Sequence, residues 1–362
     1  MVTEAVGSMA VEGSKDTFDQ MGGWPGVLGR LFARQDLTAG EAAATIDQIF
    51  EGEGSPAQIA AFAAALRVKG ETVEEMTGLV GAMLARSEPL EMEGDLLDTC
   101  GTGGDRSGSI NVSTISALVV AGAGGRVCKH GNRAASSQAG SADVLEALGV
   151  VIDLGPGGVR RCIEEVGMGF CFAPRFHPAM RHAIPVRREL GVPTVFNFLG
   201  PLANPARVRH QVVGVSDPDM AHKMLGVLIA NGCKTAMVIH GSDGLDELST
   251  AGPSKVHELV SDGTVVKRVI DAEELGFARA GLQDIRGGDA ARNAEAVRQV
   301  LSGARGAYRD ISVLNSAAGL VVAGLVPDMP AGVELATAVI DDGSAANVLE
   351  GLVRVSRDAA RS

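Results

Sequence analysis

The sequence lacks paired cysteines, long apolar runs and an excess of basic residues, and each absence excludes a class of protein. Five cysteines lie too far apart for a CxxC pair or a compact disulfide framework, which favours a reducing, cytoplasmic location: Cys100, Cys128, Cys162, Cys171 and Cys233. No apolar run approaches the ~18 residues that a membrane span needs, and the first residues lack the basic-then-apolar order of a signal peptide. We therefore expect a soluble, cytoplasmic protein without membrane contacts.

The charge balance excludes a general nucleic-acid binder. The 362 residues carry 32 basic and 44 acidic side chains, for a formal net charge of −12, and such an average field repels a phosphate backbone. Any polyanionic ligand must therefore be bound by local groups. Glycine is abundant, with 48 residues and no collagen-like period, which indicates many tight turns in a folded chain of one or two domains.

Helical patterns dominate the N-terminal quarter of the chain after a short polar start. Residues 1–22 are small and polar without periodicity, which predicts a mobile tail. Three capping boxes then precede apolar stripes at helical spacing: Thr38 with Glu41, Ser55 with Gln58, and Thr72 with Glu75. We expect a small all-helical domain over residues 23–92, to which the chain returns over about residues 177–200.

Short apolar runs alternate with helical stretches over residues 93–176 and 201–362, which is typical of an α/β domain with a mainly parallel central sheet. The predicted strands are 96–99, 127–130, 150–152, 170–172, 211–215, 235–240, 256–260 and 264–269. Asp262-Gly263 favours a hairpin that adds antiparallel strands at the sheet edge. Helices over about 290–301, 307–325 and 331–340 should cover the sheet faces. Because open sheets bind ligands beyond the carboxyl ends of their strands, the site is expected in the strand-to-helix loops.

The first of these loops has the composition of a phosphate cradle. Residues 98–114 read DTCGTGGDRSGSINVST. Glycines let backbone N–H groups approach an anion, and the helix that follows adds donors and a positive dipole end. A tight turn after a buried strand is the simpler alternative, but it accounts for only one or two of the glycines. The loop matches neither the G-x-G-x-x-G fingerprint nor the P-loop.

The second loop reads KHGNRAASSQAGS over residues 129–141 and also follows a predicted strand. Its cations, imidazole, amide and hydroxyls suit an oxygen-rich anion, and its glycine and serine content indicates a loop able to close over a ligand. Alternatively, Lys129 and Arg133 are surface charges and Ser141 only caps a helix.

The third loop contains the adjacent carboxylates Asp246 and Glu247. Together they offer the hard oxygen ligands that Mg²⁺ prefers, and no His or Cys accompanies them in the loop. Adjacent carboxylates also occur on solvated surfaces, so the position after a sheet strand is what favours a metal site.

Residues 175–188 form a basic cluster whose roles the spacing leaves open. His177 and His182 are five residues apart, which argues against a zinc pair on one helix face. Arg187 has the chemistry to hold a small carboxylate through two hydrogen bonds, whereas Arg181 and Arg188 are also candidates for interdomain or solvent charges.

These motifs together resemble the anthranilate phosphoribosyltransferase family. The resemblance is carried by DTCGTGGD (98–105), NVST (111–114), KHGNRAASSQAGSAD (129–143), FHPAMRHAIPVRRELG (176–191), FNFLGPLANP (196–205) and DGLDELS (243–249). The motifs stand in family order and spacing from about residue 24 to the C-terminal region. Pro193 departs from the pattern, which commonly has a basic residue there, and the N-terminal tail has no counterpart in it.

The resemblance implies a fold and a reaction. The fold is like that of nucleoside phosphorylases and phosphoribosyltransferases, with the site in the cleft between the helical and α/β domains. The family joins the amine of anthranilate to C1 of phosphoribosyl pyrophosphate (PRPP) and releases pyrophosphate, in tryptophan biosynthesis. Its members usually form homodimers through the helical domain.

The same resemblance implies roles for single residues. PRPP would be bound by Gly101, Gly104, Asp105, Ser109, Asn111, Val112, Ser113, Thr114, Lys129, His130, Gly131, Asn132, Arg133, Ala134, Ala135, Ser136, Ser137 and Ser141. Two Mg²⁺ ions would be held by Ser113, Asp246 and Glu247, and anthranilate by Gly101, Asn132 and Arg187.

The chemistry of the reaction agrees with these roles. The glycosidic bond of PRPP breaks as negative charge develops on pyrophosphate, which metal ions and backbone donors stabilise. The aromatic amine needs correct placement beside C1, so we expect no covalent nucleophile. His130 is the nearest candidate for a proton role, although a positioning role is favoured. A pyrimidine nucleoside phosphorylase-like enzyme is one alternative, against which the Arg187 region, FNFLGPLANP and the Asp246–Glu247 pair argue. A non-catalytic ligand-binding relative is the other, and the metal and loop residues argue against it.

Overall fold

Five helices form the N-terminal part of the chain in a computed structural model that describes residues 13–134 and 138–361. They are α1 (Ser14–Gln20), α2 (Gly23–Phe32), α3 (Ala39–Glu51), α4 (Pro56–Lys69) and α5 (Val73–Ala85). The three predicted capping boxes are present at the starts of α3, α4 and α5. Each box pairs backbone donors that a helix N-terminus otherwise leaves without a partner.

Helix α1 corrects part of the predicted tail. Phe18 on this helix is 6% exposed, and its ring packs edge-on against Trp24 with centroids 5.6 Å apart. A single aromatic side chain therefore docks an otherwise polar segment onto the helical part. Residues 1–12 of the predicted tail lie outside the described residues.

Seven strands form one sheet in the described part of the chain. They are β1 (Leu97–Gly101), β2 (Val127–Gly131), β3 (Met168–Phe172), β4 (His210–Gly214), β5 (Thr235–Gly241), β6 (Ser254–Leu259) and β7 (Val265–Ile270). The order is β3-β2-β1-β4-β5-β6-β7, with parallel pairing except for β6 and β7. The predicted, mainly parallel sheet with an antiparallel edge is confirmed, and Gly263 takes the left-handed conformation, with φ +86°, that the hairpin turn requires.

The predicted strand at 150–152 is wrong. These residues belong to no strand, and the Val151 N–H donates to the Ser356 hydroxyl at 3.1 Å. Val150 and Ile152 are buried in the core. Burial alone therefore explains this apolar run.

Helices connect and cover the strands. They are α6 (Val112–Gly122), α7 (Ser141–Ala147), α8 (Pro156–Val166), α9 (Ala173–Phe176), α10 (Ile184–Leu190), α11 (Val195–Leu202), α12 (Pro218–Ala230), α13 (Ala290–Leu301), α14 (Ala307–Val322), α15 (Met329–Asp341) and α16 (Ser344–Ala359), with 3₁₀ turns at Pro178–His182 and Ala272–Leu275. The three predicted late helices correspond to α13, α14 and α15. Helix α16 is an addition, although its buried Ala345, Val348, Leu352 and Val355 have helical spacing.

The core consists of two apolar clusters on opposite faces of the sheet. One contains α6, α14 and other covering helices. The other joins α1–α5, the return segment 177–200 and sheet residues such as Cys100, Val213 and Val238. Residues of the return segment therefore share an apolar cluster with the helical part.

The strand order predicts a crevice at the carboxyl ends of the two central strands β1 and β4. Strands β1 and β4 are neighbours, but the chain continues from β1 outward to β2 and from β4 outward to β5. The loops that leave their carboxyl ends separate, and such a switch point is where open α/β sheets bind ligands.

The cysteines are reduced and largely buried. Cys100, Cys128, Cys162 and Cys171 are buried, Cys233 is half-buried, and none forms a disulfide within the described residues. Burial raises the pKa of the Cys162 and Cys233 thiols to about 11. None of the helices in the described ranges combines the length and apolarity needed to span a bilayer.

Candidate active site

The loops that follow β1, β4 and β5 meet at the switch point between β1 and β4. The Thr102 N–H donates to the Gly214 carbonyl at 2.9 Å, and the Ser216 hydroxyl donates to the Gly103 carbonyl at 3.2 Å. The Gly103 N–H donates to Asp246 Oδ2 at 2.8 Å. The ends of β1, β4 and β5 therefore place the glycine loop and the acidic loop in direct contact.

Two strand-end glycines make this contact possible. A Cβ at Gly214 would lie 1.5 Å from the Asp246 carbonyl oxygen, and a Cβ at Gly101 would lie 2.4 Å from Asp246 Oδ2. Any side chain at either position would therefore push the acidic loop away from the sheet edge.

Asp246 and Glu247 form a partly desolvated acidic pair. Glu247 Oε1 accepts from the Ser113 N–H at 3.1 Å, in the first turn of α6. Burial, followed by the neighbouring Asp105, raises the pKa of Asp246 to about 7. Burial and the charge of Asp246 raise the pKa of Glu247 well above its ordinary value. A divalent cation would relieve this repulsion, so the donor set fits Mg²⁺.

Lys129 brings a positive charge to the same point. Its side chain is 1% exposed, and Nζ donates to the Thr99 carbonyl and, at 3.2 Å, to Ser113 Oγ. Coulombic attraction from Lys129 lowers the pKa of Glu247 and so opposes the effect of burial. Lys129, Ser113 and the acidic pair thus form one charged cluster.

His130 follows Lys129 in β2 and is a neutral imidazole. Its Nδ1 lies 3.1 Å from the Gly200 carbonyl, to which it can donate, and its buried Nε2 has no hydrogen-bond partner among the described residues. The His177 ring lies 5.1 Å away. Burial lowers the pKa of His130 to about 3 and that of His177 to about 4. Both rings are therefore uncharged at neutral pH.

Asp98 on β1 holds the end of β2, where the second loop begins. It is fully buried, and its carboxylate accepts from the His130 N–H at 3.2 Å and from Asn204 Nδ2 at 2.9 Å. Burial raises its pKa to about 6. Asp98 therefore connects Asn204, in the motif FNFLGPLANP, to His130 near the end of β2.

Arg133 is paired within its own part of the chain. Its guanidinium donates to Asp143 and Glu146, each at 2.8 Å, and lies 5.7 Å from the Phe172 ring centroid. These contacts fasten the second loop to α7. Asn132 Oδ1 accepts from the Arg133 N–H at 2.7 Å.

The remaining predicted PRPP residues occupy the two loops and the helix starts that follow them. Gly104, Asp105 and Ser109 lie in the loop after β1, and Asn111, Val112 and Thr114 lie at the start of α6. Gly131 is the last residue of β2, Ala134 lies in the second loop, and Ser141 is the first residue of α7. Ala135, Ser136 and Ser137 lie outside the described residues.

Arg187 belongs to the return segment, residues 177–200. It is half-buried on α10, whereas Arg181 and Arg188 are exposed. Burial lowers the pKa of Arg187. Within the described ranges, no hydrogen bond or ion pair engages its guanidinium. Its donors are therefore available to a ligand carboxylate.

Sequence reasoning missed three residues that fix these loops. Ser216 contacts Gly103, Asn293 donates to Asn111 at 2.8 Å, and Asn315 bonds both the N–H and the carbonyl of Leu248. The partners of Asn293 and Asn315 are distant in sequence, and neither asparagine belongs to a local motif. No signal in a single sequence identifies them.

Comparison with known proteins identifies the family. The helical bundle domain of a glycosyl transferase family matches residues 25–87, and the α/β domain of that family matches residues 93–346. The anthranilate phosphoribosyltransferase of Nocardioides sp. is 53% identical over 91% of this chain and 98% of its own length. The chain belongs to the anthranilate phosphoribosyltransferase family. The member from Chloroflexus aggregans is 48% identical over 91% of this chain and 97% of its own.

Solved structures of anthranilate phosphoribosyltransferases share the fold. The enzyme from Thermus thermophilus has a TM-score of 0.86 and 42% identity, over 91% of this chain and 99% of its own. The Saccharomyces cerevisiae enzyme in complex with PRPP and Mg has a TM-score of 0.79 and 24% identity, over 99% and 98%. At the latter identity the likeness concerns the fold. The expected helical domain joined to a larger α/β domain is confirmed.

Proposed function

We propose that this chain transfers the phosphoribosyl group of PRPP to the amine of anthranilate, giving N-(5-phosphoribosyl)anthranilate and pyrophosphate, in tryptophan biosynthesis. The observation that carries the proposal is the contact between the glycine loop and the Asp246–Glu247 pair at the switch point. This arrangement offers anion-binding amides and cation-binding carboxylates within one crevice. PRPP with Mg²⁺ is the matching ligand class within this family.

The loops after β1 and β2 would bind PRPP. Glycines and hydroxyl side chains are dense in residues 101–114, and Ser113 Oγ in this stretch accepts from Lys129 Nζ at 3.2 Å. Together these groups suit a pyrophosphate and a sugar phosphate. The local positive groups make this binding compatible with the overall charge of −12.

Ser113, Asp246 and Glu247 would hold Mg²⁺, with two ions as the expected number. Bound there, Mg²⁺ supplies positive charge that stabilises the departing pyrophosphate. Burial is the main cause of the raised pKa values of Asp246 and Glu247, and repulsion from neighbouring carboxylates adds to it. A bound cation would offset both effects. Ser113 and the acidic pair are already joined by the Ser113 N–H contact with Glu247.

Arg187, Gly101 and Asn132 would hold anthranilate. A guanidinium without a protein partner suits the carboxylate of this substrate, since two parallel hydrogen bonds also fix its orientation. The neutral His130 ring would position the substrate, and its low pKa argues against a role as a strong general base.

The helical part would form the homodimer interface expected of this family. Phe32 on α2 is 67% exposed and Val68 on α4 is 73% exposed. A second helical part seated over them would remove both side chains from water. The cytoplasm is the proposed location.

The proposed function is tested by incubating the protein with anthranilate, PRPP and Mg²⁺ and following the loss of anthranilate fluorescence. Turnover is expected with these substrates and not with thymidine and phosphate. Because the acidic pair would carry the metal, Asp246→Asn with Glu247→Gln should lower kcat by at least about a hundredfold.

A matched control is Glu273→Gln with Glu274→Gln, which neutralises an adjacent acidic pair that is exposed on a 3₁₀ turn. Its rate should equal that of the wild type. Phosphorolysis of thymidine by the wild type, or full activity of the Asp246 and Glu247 double variant, would contradict the proposal.

A further inference from the structure

A segment far along the chain lies against the glycine loop. The Ile110 N–H donates to the Ile285 carbonyl at 3.0 Å, and the Gly287 N–H donates to the Gly108 carbonyl at 2.8 Å. Ser109 and Arg286 form an isolated antiparallel bridge between these two bonds. Residues 285–287 therefore pair with residues 108–110 as a short ladder just before α6.

Asn293 continues this contact into α6. It lies in the first turn of α13 and is 2% exposed. Its Oδ1 accepts from the Gly288 N–H at 2.7 Å, and its Nδ2 donates to Asn111 Oδ1 at 2.8 Å. Asn111 Nδ2 then donates to the Ala139 carbonyl at 3.3 Å, in the second loop.

The direction of this series of hydrogen bonds is fixed at both ends. A backbone N–H only donates, so Asn293 must present its oxygen to Gly288 and its NH₂ group to Asn111. A backbone carbonyl only accepts, so Asn111 must present its NH₂ group to Ala139. The orientation of the Asn111 amide is therefore set by Asn293 on one side and by the second loop on the other.

Close packing holds Asn293 at this position. A Cβ at Gly287 would lie 2.4 Å from Asn293 Oδ1 and 2.8 Å from the Ser109 carbonyl. Glycine thus permits an approach that a larger residue would prevent. The burial of Asn293 makes a lost hydrogen bond costly, because water cannot readily replace its partner.

We propose that Asn293 is a positioning residue for the phosphoribosyl donor: it fixes the Asn111 amide and thereby holds the loops after β1 and β2 in register. This inference rests on the proposed function, in which Asn111 belongs to the PRPP site. Asn293 acts through Asn111.

Asn293→Asp tests the inference with almost no change of shape. The variant keeps an acceptor for Gly288 but replaces the donor to Asn111 with a carboxylate oxygen, so the Asn111 amide loses its fixed orientation. The KM for PRPP should rise about tenfold, with a clearly smaller rise in the KM for anthranilate, because the Arg187 contact of anthranilate is untouched. Calorimetry with PRPP and Mg²⁺, without anthranilate, should show a matching rise in Kd.

Two further variants separate positioning from folding. Asn293→Ser keeps a small donor and acceptor, and should show the same selective effect on PRPP if Asn293→Asp does not fold. Asn231→Asp makes the same atomic change at the C-terminal end of α12, which lies at the opposite edge of the sheet from the site. It should leave both KM values at the wild-type level.

The outcomes are distinct. An equal rise in both KM values, or an unchanged Kd for PRPP in the folded Asn293 variants, would overturn the positioning role while wild-type turnover upheld the proposed function. Absence of wild-type turnover would instead refute the function itself.

Discussion

Burial distinguishes one arginine in residues 181–188 from two neighbours of the same charge. Arg181 and Arg188 are exposed, whereas Arg187 is half-buried and makes no ion pair within the part of the chain described. A partly desolvated guanidinium without a protein anion is unfavourable unless a ligand completes it. The sequence alone left the three arginines equivalent, because their exposure depends on how α10 packs.

Arg187→Ala should weaken anthranilate binding selectively. Loss of a bidentate contact with a carboxylate is expected to raise the KM for anthranilate by about tenfold or more, with the KM for PRPP changed by less than about twofold. Steady-state kinetics with each substrate varied in turn measure both values. The exposed Arg188→Ala is the control and should match the wild type. Equal effects of Arg187→Ala on both substrates would show that it serves another purpose.

The residues that sequence reasoning found and missed differ in one respect. Lys129, Asp246 and Glu247 stand in local motifs directly after predicted strands, so the parallel-sheet rule predicts their edge of the sheet. Asn293 is a single asparagine in a helix, and its partner Asn111 lies 182 positions earlier. Such a contact follows from tertiary packing, which no local pattern encodes.

At the scale of elements, α1 shows how little sequence signal a docked helix needs. Its seven residues include one buried apolar side chain, Phe18. Helices of this length are unstable alone, so its structure depends on the contact of Phe18 with Trp24 and the neighbouring helices. The polar composition of residues 14–20 therefore led to the wrong prediction of a mobile tail.

Phe18→Ala should destabilise the helical part without affecting the reaction. Removing a buried aromatic side chain is expected to lower the free energy of unfolding by about 3 kcal/mol, while kcat stays at the wild-type value. Urea denaturation followed by circular dichroism measures the first quantity. Gln20→Ala, exposed on the same helix, should change stability by less than about 0.5 kcal/mol. Equal effects of the two substitutions would mean that Phe18 does not anchor α1.

The predicted and observed elements of the sheet differ for a related reason. Runs such as 127–130 and 235–240 became strands because neighbouring strands paired with them. The run 150–152 is equally apolar, but its Val151 N–H bonds to a side chain of α16. A short apolar run indicates burial, and only the tertiary neighbours decide whether it pairs as a strand.

At the scale of the whole molecule, two buried imidazoles lie between the second loop and the return segment. His177 Nε2 lies 2.8 Å from the Ala203 carbonyl, and its ring is close to that of His130. Both have a folded-state pKa below the ordinary value of 6.5. As the pH falls below 6.5 the unfolded chain binds protons that the folded protein does not, so stability present above this pH is lost on acidification. Asp98, whose pKa is raised to about 6 by burial, offsets part of the loss.

His177→Gln should reduce the acid sensitivity of folding. Glutamine retains an N–H donor for the Ala203 carbonyl but does not titrate, so the variant should lose about 2 kcal/mol less unfolding free energy than the wild type between pH 7 and pH 5. Urea denaturation at the two pH values and one protein concentration measures the difference. The exposed His222→Gln should keep the wild-type dependence. An unchanged slope for His177→Gln would show that the pKa of this imidazole is the same in the folded and the unfolded protein.

The burial of the cysteines makes them indicators of conformational opening. The thiolate is the form that attacks an alkylating reagent, and burial raises the pKa of Cys100, Cys162, Cys171 and Cys233. Near neutrality the native protein is consequently a poor target for iodoacetamide, whereas an unfolded chain reacts at ordinary rates. Covalent labelling thus counts the molecules that have opened, without any engineered probe.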